Sequence, residues 1–335
     1  MMKALVTGGG GFLGKAIVKL LLQDNFEVRS FSRSLYPELE KLGVEQLCGD
    51  LADPAAVETA VRGCDIVYHV AARPGVWGRY ADYYRPNVLG TEHIIAACRS
   101  QGVGRLVYTS SPSVVFDGGD QEGADEALAY PDRYHAWYPQ TKALAEQAVL
   151  AANDQTLATV ALRPHLIWGP EDNHLVPRIL ERGRSGWLRR IGKRNCLVDT
   201  VYIDNAAKAH LQAAGQLSAG SAVAGKAYFI SNGEPLPLWD IVNRILAAGQ
   251  LPPVEKSVSA KTAYLAGTVL EVIYRTLRLP GEPRMTRFVA RELSTAHWFD
   301  LGAARRDFGY TPDISIDEGM QRLSAWLRET ARREP

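Results

Sequence analysis

The sequence predicts a doubly wound α/β fold, in which helices cover both faces of a parallel sheet, followed by a smaller, mostly helical C-terminal lobe. Three observations lead to this prediction. Short apolar runs alternate with helical patterns through the first half of the chain, as in successive βαβ units. A glycine-rich turn joins the first apolar run to the first helical pattern. After Gly169-Pro170 the alternation ends, and helical segments are separated by Arg-, Gly- and Pro-rich stretches.

The individual elements follow from hydrophobic periodicity and from the turn residues that bound each run. In chain order, the first half contains strand 4–6, helix 12–22, strand 26–31, strand 44–48, helix 54–62, strand 65–70, helix 83–99, strand 105–108, helix 138–152 and strand 157–162. Residues 201–203 lead into a further helix with Asp204 as the expected N-cap. Residues 225–230 form a strand that is expected to return to the sheet.

The composition is that of an ordinary globular protein, with 46% hydrophobic and 22% charged residues in 335. A formal net charge of +1 gives no reason to expect a nucleic-acid partner. The four cysteines are widely spaced, which favours reduced thiols in the cytoplasm over disulfides or a zinc site. We therefore expect a cytoplasmic protein that holds no metal and has neither a secretory signal nor a membrane-spanning segment.

The turn Thr7-Gly8-Gly9-Gly10-Gly11-Phe12-Leu13-Gly14 follows the first strand and opens the first helix. Glycines in this position allow the backbone to approach a pyrophosphate and allow the helix to pack closely on the strand. The helix N-terminus supplies free N–H groups for the phosphates. The context predicts a dinucleotide-binding Rossmann domain, with these expected cofactor contacts: Thr7, Gly8, Gly11, Phe12, Leu13 and Gly14.

The end of the second strand indicates which dinucleotide binds. NAD sites usually place an Asp or Glu there to bind the ribose hydroxyls, whereas this chain has Ser32-Arg33. Because these side chains suit a 2′-phosphate, we expect NADP(H) to be preferred, with NAD(H) possible. The alternative is that Arg33 is only a solvated charge. Asp50 and Leu51 are expected near the adenine, and Ala71 and Ala72 are expected to line the cofactor.

Tyr138 and Lys142 form a Y-x-x-x-K pair at the start of a predicted helix, about one turn apart on one face. Interconverting a ketone and an alcohol needs a group that transfers a proton at the oxygen, and a nearby ammonium is expected to lower the pKa of a tyrosine. Ser111, just after the fifth strand, is the expected ligand of the substrate oxygen, with Ser113 in reserve. Tyr134 is expected to pack near the pocket entrance.

These motifs resemble those of the extended short-chain dehydrogenase/reductases. Their order along the chain is the glycine turn, Thr109-Ser110-Ser111, Y-x-x-x-K and Arg163-Pro164-His-Leu-Ile-Trp-Gly-Pro, followed by the motifs at 201–206 and 308–312. Within that superfamily the chain resembles the 3β-hydroxysteroid dehydrogenase branch, which includes sterol-4α-carboxylate 3-dehydrogenases and bacterial 2-alkyl-3-oxoalkanoate reductases of olefin biosynthesis. Segments 49–54, 106–110 and 230–237 look most like the last group.

The resemblance implies roles for several residues. Ser111, Tyr138 and Lys142 take the family's catalytic positions, and Pro164 joins Tyr138 and Lys142 beside the cofactor. Asn87 matches a position that is often structural. The implied reaction is hydride transfer between a nicotinamide cofactor and a bulky, lipid-like 3-oxo or 3β-hydroxy substrate. A homodimer would be in keeping with the family.

Several alternatives stay open at this point. A decarboxylating sterol-4α-carboxylate 3-dehydrogenase is closely related, and a non-catalytic cofactor-binding protein is a different class. A sugar-nucleotide epimerase or reductase is disfavoured by the missing strand-two acid, and Pro112 and Ser113 stand where dehydratases carry acids. A substrate carboxylate would need a cationic ligand, and no single residue is favoured among Arg73, Arg79, Arg85, His135, His165 and Arg178.

The domain division follows from the order of elements. We expect a Rossmann domain at residues 1–170 with returning segments at about 200–231 and 299–312, a substrate-binding lobe at 171–199 and 232–298, and a C-terminal helix at 313–335. Within the lobe, residues 261–279 form an amphipathic helix. Its apolar face either packs on the lobe's own core or serves as a lid over a long acyl or sterol chain, with membrane or lipid contact as an extension of the second possibility. The residues of that face are Leu265, Val269, Val272, Ile273 and Leu277, and those of the polar side are Thr268, Glu271, Arg275 and Arg278.

Overall fold

A computed structural model describes residues 1–333 of the chain. Its strands are β1 (Lys3–Thr7), β2 (Glu27–Ser32), β3 (Glu45–Cys48), β4 (Ile66–His69), β5 (Arg105–Thr109), β6 (Gln121–Ala124), β7 (Ala158–Pro164), β8 (Ile167–Trp168), β9 (Arg190–Ile191), β10 (Leu197–Val198), β11 (Val201–Tyr202), β12 (Lys226–Ile230), β13 (Leu236–Pro237), β14 (Ser257–Val258) and β15 (His297–Phe299).

Helices alternate with these strands and extend to the end of the described chain. They are α1 (Phe12–Gln23), α2 (Pro37–Lys41), α3 (Pro54–Val61), α4 (Tyr80–Tyr84), α5 (Gly90–Gln101), α6 (Trp137–Ala151), α7 (Leu175–Arg184), α8 (Ile203–Gln216), α9 (Leu238–Ala248), α10 (Ala260–Thr276), α11 (Arg287–Glu292), α12 (Gly302–Phe308) and α13 (Ile316–Arg333). Within residues 1–333, no helix combines the length and the apolar character that crossing a membrane requires.

The main sheet is parallel, with seven strands in the order β3-β2-β1-β4-β5-β7-β12. Its central strands are covered on both sides, so they consist of nearly continuous apolar residues: Ala4, Leu5 and Val6 of β1 are completely buried. The order reverses between β1 and β4, where ligands bind at the carboxyl ends of the strands in folds of this kind. The predicted doubly wound fold is confirmed.

A second sheet, of four strands in the order β13-β10-β15-β6, lies outside the main one. The sequence-based prediction missed it because its strands have only two to four residues, too few for a period-two pattern. It matters for the site because it carries Asp199, next to β10, and His297 in β15. The proposed division into a Rossmann domain and a substrate lobe stays a prediction, and residues 334–335 of the predicted C-terminal helix lie outside the described residues.

Two predicted elements differ from the structure. The predicted helix 83–99 is interrupted by a π-helical turn at Arg85–Leu89, because Pro86 has no N–H to donate within an α-helix. The prediction that Asp204 is an N-cap is wrong. Helix α8 begins at Ile203 with Tyr202 as its N-cap, and Asp204 lies in the first turn, where its charge favours the helix dipole.

Candidate active site

The glycine turn is shaped for close approach of a ligand to the backbone. Gly8 has a φ of +70°, and a Cβ there would lie 3.1 Å from Cα of Ala71. A Cβ on Gly14 would lie 2.1 Å from the carbonyl oxygen of Gly8, so a side chain at residue 14 would separate α1 from the turn. The N-cap, Gly11, offers no side-chain hydrogen bond, and the first turn of α1 contains no acid. The first N–H groups of α1 are therefore available to an anion.

Thr7 connects the ends of β1 and β4. It is completely buried, and its hydroxyl accepts hydrogen bonds from the N–H groups of Val70 and Ala71, each at 3.1 Å. The same hydroxyl lies 2.8 Å from Nδ1 of His69. These contacts engage the hydroxyl of Thr7 within the protein. Thr7 therefore holds the glycine turn against the segment after β4, which carries Ala71 and Ala72.

The end of β2 carries two polar side chains with no acidic partner among residues 1–333. Ser32 Oγ is buried and has no hydrogen-bond partner there, and Arg33 is exposed. Tyr36, which sequence reasoning missed, lies against the glycine turn: a Cβ on Gly10 would be 2.2 Å from the tyrosine ring. An unpartnered buried hydroxyl beside a free guanidinium suits a phosphate-bearing ribose.

The remaining predicted cofactor residues lie at or just after the carboxyl ends of β3 and β7. Asp50 follows β3 and accepts a hydrogen bond from the N–H of Ala52 at 2.9 Å. Leu51 is buried and packs against Gly90 at the start of α5. Pro164 is the last residue of β7 and is paired in register with Ile230 of β12.

Ser111 and Tyr138 are brought together from β5 and α6. Ser111 follows β5 and caps the short 3₁₀ turn at Pro112–Val115, where its Oγ lies 2.9 Å from Oγ of Ser113. The side chain of Tyr138, in the first turn of α6, lies near enough to Ser111 for that serine to lower its pKa. Tyr134 is engaged elsewhere, since its hydroxyl donates to the carbonyl of Val114 at 3.1 Å. Ser111 and Tyr138 therefore lie close together, and Ser113 contacts Ser111.

The electrostatics of this pair differ from the sequence-based expectation. Burial raises the pKa of Tyr138 to about 12, and the nearby Ser111 side chain opposes this rise. Lys142 does not supply the expected lowering. Its Nζ donates to the carbonyl of Thr109 at 2.6 Å and lies 4.0 Å from the centre of the Tyr108 ring, and burial lowers its own pKa to about 7. The Tyr138 hydroxyl therefore carries its proton at neutral pH.

Asn87 supports the site from the π-helical turn. Its side-chain oxygen accepts from the N–H of Arg73 at 2.7 Å, and its Nδ2 donates to the Arg73 carbonyl at 3.2 Å and to Thr141 Oγ1 at 3.1 Å. These bonds connect the loop after β4 to α6, the helix that carries Tyr138 and Lys142.

A buried hydrogen-bonded chain at the end of β7 was missed by sequence reasoning. His165 Nδ1 lies 2.6 Å from Oδ1 of Asp199, and its Nε2 lies 3.1 Å from Nδ1 of His297. Nε2 of His297 in turn lies 3.0 Å from the backbone oxygen of Glu292. Asp199, His165 and His297 are all buried. His165 was one of the six possible carboxylate ligands, but both of its nitrogens are occupied within the protein.

The donors and acceptors of this hydrogen-bonded chain determine how many protons it needs. The carbonyl oxygen of Glu292 only accepts, so His297 carries its proton on Nε2, and burial lowers the pKa of His297 to about 4. Nδ1 of His297 is then an acceptor and His165 donates from Nε2. The three bonds need three protons, and two neutral imidazoles supply two. The negative charge nearest to the place of the third proton is the Asp199 carboxylate, 2.6 Å from Nδ1 of His165.

Glu292 itself is a further acid near the site. It ends α11, its charge acts on Tyr138, and burial raises its pKa to about 7. Two of the other possible carboxylate ligands are paired with acids: Arg79 with Asp82 at 2.9 Å and Arg178 with Glu282 at 2.5 Å.

Helix α10 presents its apolar face to solvent. Leu265, Val269, Val272, Ile273 and Leu277 are exposed, whereas Ala263, Gly267 and Glu271 are buried against α11 and the segment before it. The expectation that the apolar face packs on the lobe's own core is therefore wrong. A Cβ on Gly267 would lie 2.7 Å from the carbonyl carbon of Thr286, so close packing through glycine decides which face turns inward.

The doubly wound fold with a glycine turn and a Ser–Tyr–Lys group at its carboxyl edge defines a dehydrogenase or reductase. Residues 5–256 match the 3-beta hydroxysteroid dehydrogenase/isomerase family, and the chain belongs to that family.

Comparison with individual proteins agrees with this assignment. A 2-alkyl-3-oxoalkanoate reductase of Stenotrophomonas maltophilia is 56% identical over 97% of this chain and 99% of its own. A decarboxylating sterol-4-alpha-carboxylate 3-dehydrogenase of Mus musculus is 34% identical over 96% and 89%. Among solved structures, UDP-glucose 4-epimerase of Thermus thermophilus in complex with NAD superposes with a TM-score of 0.74 at 23% identity, covering 98% of this chain and 99% of its own, which establishes a shared fold.

Proposed function

We propose that the protein is an NADP(H)-dependent reductase that converts the 3-oxo group of a 2-alkyl-3-oxoalkanoate, or of a similar lipid-like acid, to a hydroxyl. The observation that carries the proposal is the buried Tyr138 side chain beside Ser111, whose pKa of about 12 keeps its hydroxyl protonated at neutral pH. A protonated phenol is a donor to a carbonyl oxygen, which is what reduction requires. The 56% identical reductase supports the same direction and substrate class.

The residues of the glycine turn fit a dinucleotide. The uncapped N-terminus of α1 and the turn Gly8–Gly11 would hold the pyrophosphate, with Ala71, Ala72 and Pro164 along the nicotinamide half and Asp50 and Leu51 near the adenine. Ser32 and Arg33 would hold a 2′-phosphate, which supports the preference for NADP(H). When bound, the nicotinamide supplies the hydride.

Side chains of the protein orient the ketone oxygen of the substrate and donate the proton to it. Ser111 orients the ketone oxygen toward Tyr138, and Tyr138 donates its proton as the oxygen gains charge. The Lys142 ammonium donates to the Thr109 carbonyl and so holds α6, and with it Tyr138, against the end of β5. Thr109 holds this ammonium in place, and Asn87 holds α6 against the loop after β4. Residues 171–199 and 232–298 would supply the walls for the substrate chain.

A second candidate is oxidation of a sterol-4α-carboxylate with loss of carbon dioxide, which the 34% identical dehydrogenase favours. It would use the same residues in reverse, with Tyr138 as the base. A pKa of about 12 leaves little phenolate at neutral pH, which is why reduction is the first proposal.

The test is oxidation of NADPH and of NADH by the purified protein, assayed against 3-oxo acids, 3-ketosteroids and 4-carboxysterols. We expect turnover with the 2-alkyl-3-oxo acids and NADPH, with the hydroxy acid as product. Carbon dioxide release from a 4-carboxysterol with NAD(P)⁺ would support the second candidate instead. Cofactor binding without turnover of any member of the panel would contradict both.

A further inference from the structure

The outward side of α10 is an unusually apolar surface for a folded chain. Five large aliphatic side chains, at helical spacing, form one stripe, and the first and last of them, Leu265 and Leu277, are 64% and 65% exposed. We call this stripe, consisting of Leu265, Val269, Val272, Ile273 and Leu277, the α10 apolar face. A contiguous exposed patch of this kind is typical of a surface that binds a partner or a lipid.

The buried side of α10, opposite the apolar face, fixes the orientation of the helix. Gly267 lies directly on the backbone at Thr286, and the carboxylate of Glu271 accepts from both the backbone N–H and the guanidinium of Arg287, at 2.7 and 2.8 Å. Rotating the helix to bury the apolar face would break this ion pair, whose carboxylate is buried. The exposure is therefore built into the packing.

The rim of the α10 apolar face is cationic. Residues 171–199 and 232–298 contain 15 Lys and Arg against 10 Asp and Glu, although the whole chain has a net charge of only +1. Among residues 1–333, four cations on or next to α10 have no acidic partner: Lys261, Arg275, Arg278 and Arg284. The one acid within α10, Glu271, is buried and paired.

Aromatic rings accompany these cations. Trp187 is 70% exposed, and the guanidinium of Arg284 lies 5.5 Å from its ring centre. Arg275 lies 6.0 Å from the ring of Trp77, which belongs to the loop after β4. Exposed tryptophan, arginine and aliphatic side chains together are the composition of segments that lie at a membrane surface.

We propose that the α10 apolar face binds the surface of an anionic lipid bilayer. The aliphatic stripe enters the boundary between headgroups and acyl chains, and the four cations meet lipid phosphates. A symmetric contact with a second copy fits the charges less well, because it would bring the same unpaired cations toward each other. The surface lies beside the loop that carries Ala71 and Ala72, so docking would hold the substrate site close to the lipid phase, a consequence that rests on the proposed function.

Vesicle co-sedimentation of the full-length protein tests the proposal without any turnover. We expect the protein to pellet with mixed phosphatidylcholine and phosphatidylglycerol vesicles, and much less with pure phosphatidylcholine. The double variant Val269→Asn/Val272→Asn should weaken binding at least tenfold, because two large apolar side chains are lost from the buried area. Arg275→Gln/Arg278→Gln should weaken binding about fivefold per charge and reduce its sensitivity to salt.

Matched controls lie on other helices of the protein. Leu42→Asn removes an exposed apolar side chain from the end of α2, and Arg62→Gln removes an exposed cation after α3; both should bind vesicles like the wild type. Thermal melting of every variant shows whether it is folded. Wild-type protein that stays in the supernatant with both vesicle types would overturn the proposal. So would a wild-type dimer that Val269→Asn/Val272→Asn converts to a monomer, or pelleting that none of the α10 variants alters.

Discussion

Lys142 donates from Nζ to the main-chain carbonyl of Thr109 at 2.6 Å, and this bond connects α6 to the carboxyl end of β5. Thr109 is the last residue of β5, two positions before Ser111, and Lys142 follows Tyr138 by one helical turn. The bond therefore fixes the distance between the two elements that carry the serine and the tyrosine. It also keeps an ammonium in a buried position, at a cost to stability that depends on pH.

Replacing Lys142 with Met should remove that cost. The pKa of Lys142 is about 7 in the folded protein and 10.5 when unfolded, so between these values the unfolded chain binds a proton that the folded protein has released. Wild-type stability relative to Lys142→Met should then rise by about 1.4 kcal/mol per pH unit from about pH 7 to about pH 10. Urea unfolding of both proteins across this pH range measures the difference in their free energies of unfolding. A difference that does not change with pH would refute the pKa assigned to Lys142.

Replacing Arg33 with Ala should raise the KM for NADPH about tenfold or more, because one charge-assisted bond to the 2′-phosphate is lost. The KM for NADH should hardly change, since NADH has no such phosphate. Lys41→Ala, which removes an exposed cation of α2, is the control. Equal effects of Arg33→Ala on the KM for NADPH and the KM for NADH would show that Arg33 does not bind the 2′-phosphate.

Asp199→Asn should lower the free energy of unfolding by about 3–5 kcal/mol, because it removes the carboxylate that is the buried partner of His165. The exposed pair Arg178–Glu282 provides the comparison, and Glu282→Gln should cost less than about 1 kcal/mol. Denaturant unfolding at neutral pH compares the two variants. Similar small losses in both would mean that the contact between Asp199 and His165 does not stabilise the fold as described.

Gly267→Val should destabilise the protein by about 1–3 kcal/mol, since the new side chain meets the backbone at Thr286. Gly215→Ala is a matched glycine replacement in α8, where nothing lies within 4 Å of the added carbon. It should be neutral or stabilise by up to about 1 kcal/mol. Calorimetric melting separates them, and a neutral Gly267→Val would contradict the close packing of α10.

The fold and much of the site were predictable from sequence because they depend on local signals. The glycine turn, the alternating apolar runs and the Y-x-x-x-K spacing each act within one βα unit, and together they locate the Ser111–Tyr138 contact. The Asp199–His165–His297 chain joins residues 34 and 132 positions apart, and no local pattern connects them. Periodicity also predicted that α10 is amphipathic but not which face packs inward, because the Gly267 contact and the Glu271–Arg287 pair decide that.

Turnover of Tyr138→Phe tests the central claim most directly. The variant keeps the ring and loses only the hydroxyl, so we expect it to melt like the wild type and to bind NADPH with unchanged affinity. Its rate of reduction of a 2-alkyl-3-oxo acid should fall by about 10²–10⁴-fold. A folded Tyr138→Phe protein that reduces the same substrate at near wild-type rate would show that another group supplies the proton.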